Sequence, residues 1–277
     1  ALLKSSQIEQ FDSPSPATTN EAVYFDLFGK LIIRWPANWS IYISGLALFL
    51  FVFGIVMRIK NPTHAQNEVS SFGFRAILVP ATNLMIPAVT IVLTYIVTLE
   101  LQKLVRLEDN LQLDWPSNPT AILIGYWMAG FAITGATATI AAKFMKPELL
   151  LIGVLFIWIS LCFLTSIYVN GASYLFIIPT VLTASTYSKA RNGGELGLMI
   201  TLVVGAAALG LIWLPLERLF YDAVGFRMPI IMMGRIAFVS ATLLPLLALT
   251  SIWMRFSFAI LATCISVLSF SVAILSI

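Results

Sequence analysis

The sequence predicts an all-α integral membrane protein, a polytopic bundle of about eight transmembrane helices. Hydrophobic residues make up 59% of the 277 positions and charged residues only 10%, and the mean hydropathy is +0.93. Soluble domains carry a much larger charged fraction. The apolar residues form long continuous runs near the roughly 20 residues that a helix needs to cross a bilayer. The runs lack the alternating pattern of barrel strands, which leaves helices as the structure.

The first 38 residues precede these runs. Residues 1–20 are polar and rich in Ser, Pro and Thr, which indicates a linker that follows another domain. Residues 21–38 mix aromatic, aliphatic and charged side chains. They predict an interfacial juxtamembrane segment, with the rings of Tyr24 and Trp35 at headgroup depth. Because the chain starts at Ala1 without a signal-peptide pattern, we expect it to be part of a longer protein.

Eight apolar runs then fill a predicted transmembrane domain, residues 39–277. The fifth run is short and follows the fourth almost directly, so these two form either a tight pair of full spans or a re-entrant pair. Arg235 is the one charged residue inside the runs. The runs cover residues 39–57, 76–99, 120–142, 149–168, 172–187, 196–216, 228–250 and 256–277.

The charges between the runs bear on orientation and on partners. Sorted onto alternate sides, with Arg235 left aside, the basic residues divide eight to seven and the acidic residues three to ten. The side with more basic and fewer acidic residues is predicted to be cytoplasmic. Both termini are then periplasmic or lumenal, since the span count is even. The net charge of +3 is dispersed, which excludes a nucleic-acid-binding footprint and leaves the lipid bilayer as the expected partner.

Arg235 is the strongest candidate for an intramembrane polar site, because a charge within a span is costly and tends to mark function. In one interpretation it forms a transporter or channel site, with partners in a neighbouring loop at Glu217, Arg218 and Asp222. In the other, the helix starts near Ile236 and Arg235 snorkels to the interface. The sequence leaves both open.

Small residues in the sixth run predict close helix packing. Gly197, Thr201 and Gly205 recur at four-residue spacing, and Gly210 follows farther along the run. Such residues let helix backbones approach closely within lipid. We interpret them as an internal packing face; a scaffold surface for another membrane protein is the alternative.

No catalytic or metal-binding residue is predicted in this chain. His64 is the single histidine, whereas a zinc site needs several His, Cys or carboxylate ligands together. Cys162 and Cys264 both lie inside apolar runs, where a thiol behaves as a small hydrophobic group. Neither a nucleophile-elbow motif nor a phosphate-binding loop is present.

The segment AVYFDLFGKLIIRWP, followed directly by a long apolar run, resembles the junction between the peptidase domain and the multi-spanning region of membrane-bound zinc aminopeptidases. That family includes endoplasmic-reticulum and vacuolar enzymes and bacterial relatives. The matching residues are Val23, Tyr24, Phe25, Asp26, Leu27, Phe28, Gly29, Trp35 and Pro36.

The resemblance implies that a zinc peptidase domain precedes Ala1, on the periplasmic or lumenal side and behind one additional span. His, Asp and Glu residues of that domain would hold the zinc, so this chain itself would bind no cofactor. The chain would anchor that domain in a bacterial inner membrane, or in an endoplasmic-reticulum or vacuolar membrane. The oligomeric state stays undetermined.

Overall fold

Helices make up most of the chain in the computed structural model, which describes residues 22–27, 31–59, 72–109, 118–190, 194–224 and 229–275. A short 3₁₀ turn, Asn170–Ala172, separates the fourth and fifth helices. The elements are β1 (Ala22–Leu27), β2 (Leu31–Pro36), α1 (Trp39–Ile59), α2 (Phe72–Asp109), α3 (Pro119–Ala141), α4 (Pro147–Tyr168), α5 (Tyr174–Lys189), α6 (Gly194–Val224), α7 (Pro229–Thr242), α8 (Leu244–Leu249) and α9 (Ile252–Leu275).

The predicted fold class, a polytopic helical membrane bundle, is confirmed. Seven stretches among the described residues are long and apolar enough to cross a bilayer, and they lie in α1, α2, α3, α4, α6, in α7 with α8, and in α9. Helix α5 has 16 residues, or about 24 Å at 1.5 Å per residue. It corresponds to the short fifth run.

The contacts of α5 give its direction relative to its neighbours. At its start, Ser173 bonds Ser40, the second residue of α1. At its end, the Tyr187 ring packs on Gly54 of α1, and the Tyr187 hydroxyl reaches Glu148 in the first turn of α4. Helix α5 therefore runs beside α1 for most of the bundle's length and antiparallel to α4, so the two predicted spans cross the bundle in opposite directions.

These contacts define two ends of the bundle. The hairpin end contains the first residues of α1 and α5 and the last residues of α4. The opposite end contains the first residues of α4 and the last residues of α1, α3 and α5. Helix α4 lies inside the bundle, in contact with α1, α2, α5 and α8, whereas α9 packs mainly on α3 and is largely exposed.

A β-hairpin stands before α1, where the composition predicts only an interfacial segment. Strands β1 and β2 are antiparallel, with Val23 opposite Trp35 and Leu27 opposite Leu31. Their β-branched and aromatic residues favour paired strands. Because Val23 is only 1% exposed and β1 contacts the turn after α4, the hairpin is seated on the bundle.

The predicted seventh span is divided into α7 and α8. Leu243 lies in a turn between them, and its N–H bonds the Ser240 carbonyl at 3.0 Å. Pro245 has no N–H to donate to the Ala241 carbonyl, which removes one helical hydrogen bond at this point. The helix axis can change at such a break.

Candidate functional site

A network of buried hydroxyl groups joins the hairpin to the bundle; we call it the junction network. The Trp35 indole donates to the Ser40 hydroxyl at 2.9 Å, and the Ser173 hydroxyl donates to the same oxygen at 3.0 Å. The Ser44 hydroxyl donates to the Ser40 carbonyl at 2.8 Å and lies 3.0 Å from the Ser166 hydroxyl. Ser40, Ser44 and Ser173 are fully buried.

The junction network connects four elements at one point. Trp35 belongs to β2, Ser40 and Ser44 to α1, Ser166 to α4, and Ser173 directly precedes α5. A buried hydrogen bond contributes about 1 kcal/mol net, and more is lost when one partner is removed alone. The Trp35 indole therefore bonds the hairpin to Ser40 of α1, and Ser40 and Ser44 are in turn bonded to Ser173 before α5 and to Ser166 of α4.

Arg235 lies within α7, which begins at Pro229 and so starts earlier than the snorkelling interpretation assumes. Its guanidinium carbon stands 5.3 Å from the centroid of the Trp213 ring. A cation over an indole face is attracted by the ring quadrupole, worth about 0.5–2 kcal/mol. The aromatic ring thus offers the buried part of this charge a favourable contact.

Trp213 is held by a hydrogen bond to a carbonyl that a proline in the neighbouring helix leaves without its helical donor. Pro179 of α5 has no N–H for the carbonyl four residues earlier, that of Leu175. The Trp213 indole donates to this carbonyl at 3.2 Å. Phe176 and Trp158 pack against Trp213 with ring centroids 5.5 Å and 6.5 Å away. We call these three rings with Arg235 the aromatic cluster.

The three acidic and basic residues expected near Arg235 do not lie in a loop. Glu217, Arg218 and Asp222 belong to the last part of helix α6, Gly194–Val224. Their side chains lie outside the described residues, so their pairing with Arg235 stays a prediction. The loop assignment is wrong because α6 has 31 residues, about 46 Å of helix, and therefore continues past a core about 30 Å thick.

A small cavity lies between α4, α5 and α6, beside the aromatic cluster. Its volume is about 20 Å³, enough for about one water molecule. Small-molecule sites are far larger, roughly 300–1,000 Å³. Thr180, Thr183 and Thr242 line it together with Trp158. The Trp158 indole donates to the Thr242 hydroxyl at 3.2 Å.

The small residues of α6 face neighbouring parts of the same chain. A methyl group at Gly205 would lie 2.7 Å from the Thr183 hydroxyl, and one at Gly197 would lie 2.9 Å from the Ala190 carbonyl. Thr201 is fully buried and donates to the Gly197 carbonyl at 2.9 Å. Gly210 is half-buried. The contacts of Gly197 and Gly205 are thus internal packing between α6 and the end or middle of α5.

Metal-ligating residues do not gather in the part of the chain that the structure describes: it holds no group of three His, Cys, Asp or Glu residues that could bind an ion. His64 lies outside the described residues. Cys162 is buried and its sulfur lies 3.5 Å from the Thr180 hydroxyl, whereas Cys264 is exposed near the middle of α9.

The junction network contains residues that the sequence did not single out, namely Ser40, Ser44, Ser166 and Ser173. The available signal is weak: each is a small hydroxyl within or beside an apolar run, where many serines simply bond their own helix. Comparison with known proteins adds no further guidance, because no family model, curated protein or solved structure matches this chain. The site is therefore interpreted from its own chemistry.

Proposed function

We propose that this chain is the membrane-anchoring region of a zinc aminopeptidase and that it positions the peptidase domain beside the bilayer. The observation that carries the proposal is the junction network. In it, Trp35 of the segment that resembles the aminopeptidase junction bonds Ser40 of α1, which buried hydroxyl groups tie to Ser166 of α4 and to Ser173 before α5. In this proposal the zinc and all catalytic residues belong to the domain before Ala1, on the periplasmic or lumenal side.

The bonds of the junction network support a rigid attachment of the hairpin to the bundle rather than a flexible connection. Trp35 lies five residues before Ser40, so a flexible connection would need no bond between them. The network instead orders this stretch, and ordering costs conformational entropy that the buried bonds offset. The hairpin would give the predicted linker, residues 1–20, a fixed starting point at β1 and so keep the preceding domain near the bilayer.

Spin labelling of the hairpin tests this rigid attachment. A nitroxide on Arg34→Cys, an exposed position in β2, is introduced after Cys162→Ala and Cys264→Ser. The reconstituted chain should give the broad spectrum of an ordered label. Ser173→Ala should sharpen it, and Ser160→Ala should not, because Ser160 bonds only the Phe156 carbonyl of its own helix. A sharp spectrum with all serines of the network present, or equal spectra for the two serine variants, would contradict a rigid attachment.

Enzyme assays and the parent reading frame test the peptidase assignment separately. The reconstituted chain should hydrolyse no aminopeptidase substrate with or without added zinc, and measurable hydrolysis would overturn the assignment. Clustered zinc ligands encoded upstream of Ala1 support the assignment; a start codon close to Ala1 contradicts it and leaves only a membrane protein with an ordered hairpin.

The transporter alternative gains no support from the cavity beside the aromatic cluster, because that cavity holds about one water molecule. The scaffold alternative gains none from Gly197 and Gly205, because both contact α5 or the residue that follows it. Intermolecular crosslinking from either glycine position would restore the scaffold alternative.

A further inference from the structure

The opposite end of the bundle carries a compact group of basic residues, independent of the proposed anchoring function. Lys143 lies in the turn between α3 and α4, Lys146 directly precedes α4, and Arg255 lies in the first turn of α9. The Arg255 guanidinium donates to the Ala138 carbonyl at 3.3 Å, and its Nε donates to the Ser251 carbonyl at 3.4 Å. These bonds hold Arg255 against the last turn of α3, one turn before Lys143. We call Lys143, Lys146 and Arg255 the basic corner.

The basic corner lies at the depth of the bilayer surface. Helix α4 begins directly after Lys146 and has 22 residues, about 33 Å, which matches a hydrocarbon core about 30 Å thick. Tyr168 at its far end is 78% exposed. At the near end Phe144 is 78% exposed and Trp253 is 77% exposed. Exposed aromatic rings at both ends are typical of the two membrane interfaces.

Positive charge dominates this corner among the described side chains. Lys143 and Lys146 are exposed to the solvent or headgroup layer. The one described acid close in sequence, Glu148, accepts a hydrogen bond from the Tyr187 hydroxyl of α5 at 3.2 Å. At the hairpin end, where Leu101 of α2 packs with Ile122 near the start of α3, Lys103 forms an ion pair with Glu100 at 2.6 Å.

We propose that the basic corner binds the headgroup of an anionic phospholipid. Lys143, Lys146 and Arg255 supply the positive charge, and Phe144 and Trp253 border the position at which the acyl chains begin. Lysine and arginine near an anionic leaflet each strengthen binding by about fivefold. Arg255 adds geometric definition, since its stem is already ordered by two bonds to backbone carbonyls.

Lipid retention in native mass spectrometry tests the proposal. The purified chain is equilibrated with mixed micelles of phosphatidylcholine and phosphatidylglycerol, and the lipids that stay bound are counted. Wild-type protein should retain phosphatidylglycerol in preference. Lys143→Gln with Lys146→Gln should reduce this retention by more than about tenfold, and Arg255→Gln by about fivefold. Lys103→Gln, at the hairpin end, is the matched control and should leave it unchanged.

Three outcomes would overturn the proposal. Equal retention in wild type and in the Lys143→Gln, Lys146→Gln variant indicates that the corner binds no lipid. Equal losses in that variant and in Lys103→Gln indicate general attraction of anionic lipid to the whole protein. Displacement of phosphatidylglycerol by millimolar inorganic phosphate indicates a site for free phosphate. Because both lysines are exposed, the circular-dichroism spectrum and phosphatidylcholine retention should match wild type and show that the variants are folded.

Discussion

Pro87 of α2 and Pro179 of α5 both lie inside their helices, and the bundle compensates for these two prolines in different ways. Pro179 of α5 leaves the Leu175 carbonyl without its helical donor, and the Trp213 indole of α6 supplies a replacement at 3.2 Å. Pro87 of α2 likewise leaves the Asn83 carbonyl without its helical donor. There Gly153 of the neighbouring helix α4 lies against this carbonyl, and a Cα hydrogen of the glycine can make a weak C–H···O contact with the carbonyl oxygen.

The difference lies in what each solution requires of the partner helix. Replacing the missing donor requires one specific side chain, here Trp213, at hydrogen-bonding distance. Its ring also provides the surface that Arg235 covers. Close backbone approach needs the absence of a side chain. The first solution is therefore sensitive to loss of a hydrogen bond, and the second to any added atom.

The largest effect is expected for Gly153→Ala. Its methyl group would fall 2.8 Å from the Asn83 carbonyl carbon and 3.3 Å from the Pro87 ring, so two backbones would have to separate. We expect a loss of about 3 kcal/mol in the free energy of unfolding, the upper range for overpacking, measured by denaturant titration in micelles. Gly45→Ala is the control, because nothing lies within 4 Å of a methyl group there. Equal stability of both variants would contradict the close approach of α2 and α4.

The next effect is expected for Trp213→Phe, which keeps a ring but removes the donor to the Leu175 carbonyl. An unsatisfied buried carbonyl costs about 1–3 kcal/mol. In a Pro179→Ala background, residue 179 gains an N–H that can satisfy the same carbonyl. The cost of Trp213→Phe should then shrink, and a double-mutant cycle on the free energy of unfolding measures the difference. An identical cost in both backgrounds would rule out the proline as the reason for the bond.

A smaller effect is expected for Gly205→Ala. The added methyl would lie 2.7 Å from the Thr183 hydroxyl and 3.2 Å from its Cγ2, which belong to a side chain that can rotate. We expect a cost of about 1 kcal/mol, smaller than that of Gly153→Ala, since a side chain yields more readily than a backbone. The companion change Thr183→Ala should relieve part of it. If Gly205→Ala cost as much as Gly153→Ala, backbone contact would not be the distinguishing feature.

The smallest effect is expected for Arg235→Lys, which keeps the charge and loses the planar group over Trp213. Arginine stacks on aromatic faces better than lysine does. The loss should be about 0.5–1 kcal/mol and should vanish when Trp213→Leu is already present. Persistence of the full loss in the Trp213→Leu background would assign the role of Arg235 to other contacts.

Several parts of this picture could be predicted from residues alone. Long runs such as 39–57 and 149–168 specify helices in lipid, because no other local structure satisfies the backbone there. The break in the seventh run coincides with Pro245, although its position at Leu243 did not follow from the sequence. The strands β1 and β2 were missed, since two six-residue runs of mostly apolar residues next to a membrane interface are equally compatible with an irregular segment.

The candidate sites were predictable to a smaller extent. Arg235 stands out in any sequence of this kind, but its contact partner Trp213 lies in another helix and is one of seven tryptophans. The junction network depends on Ser40 and Ser173, which are separated by 133 positions. No local pattern marks two such serines as partners.

The sequence by itself determined the solvent of this protein and the approximate positions of its apolar spans, because the hydrophobic effect and backbone hydrogen bonding act on every residue locally. Only the tertiary structure decided which polar atoms meet inside the bundle: the indole that replaces a missing N–H, the glycine that receives a carbonyl, and the serines that hold the hairpin. Those pairings depend on helix order and rotation. Helix order and rotation are set by packing among all the helices together.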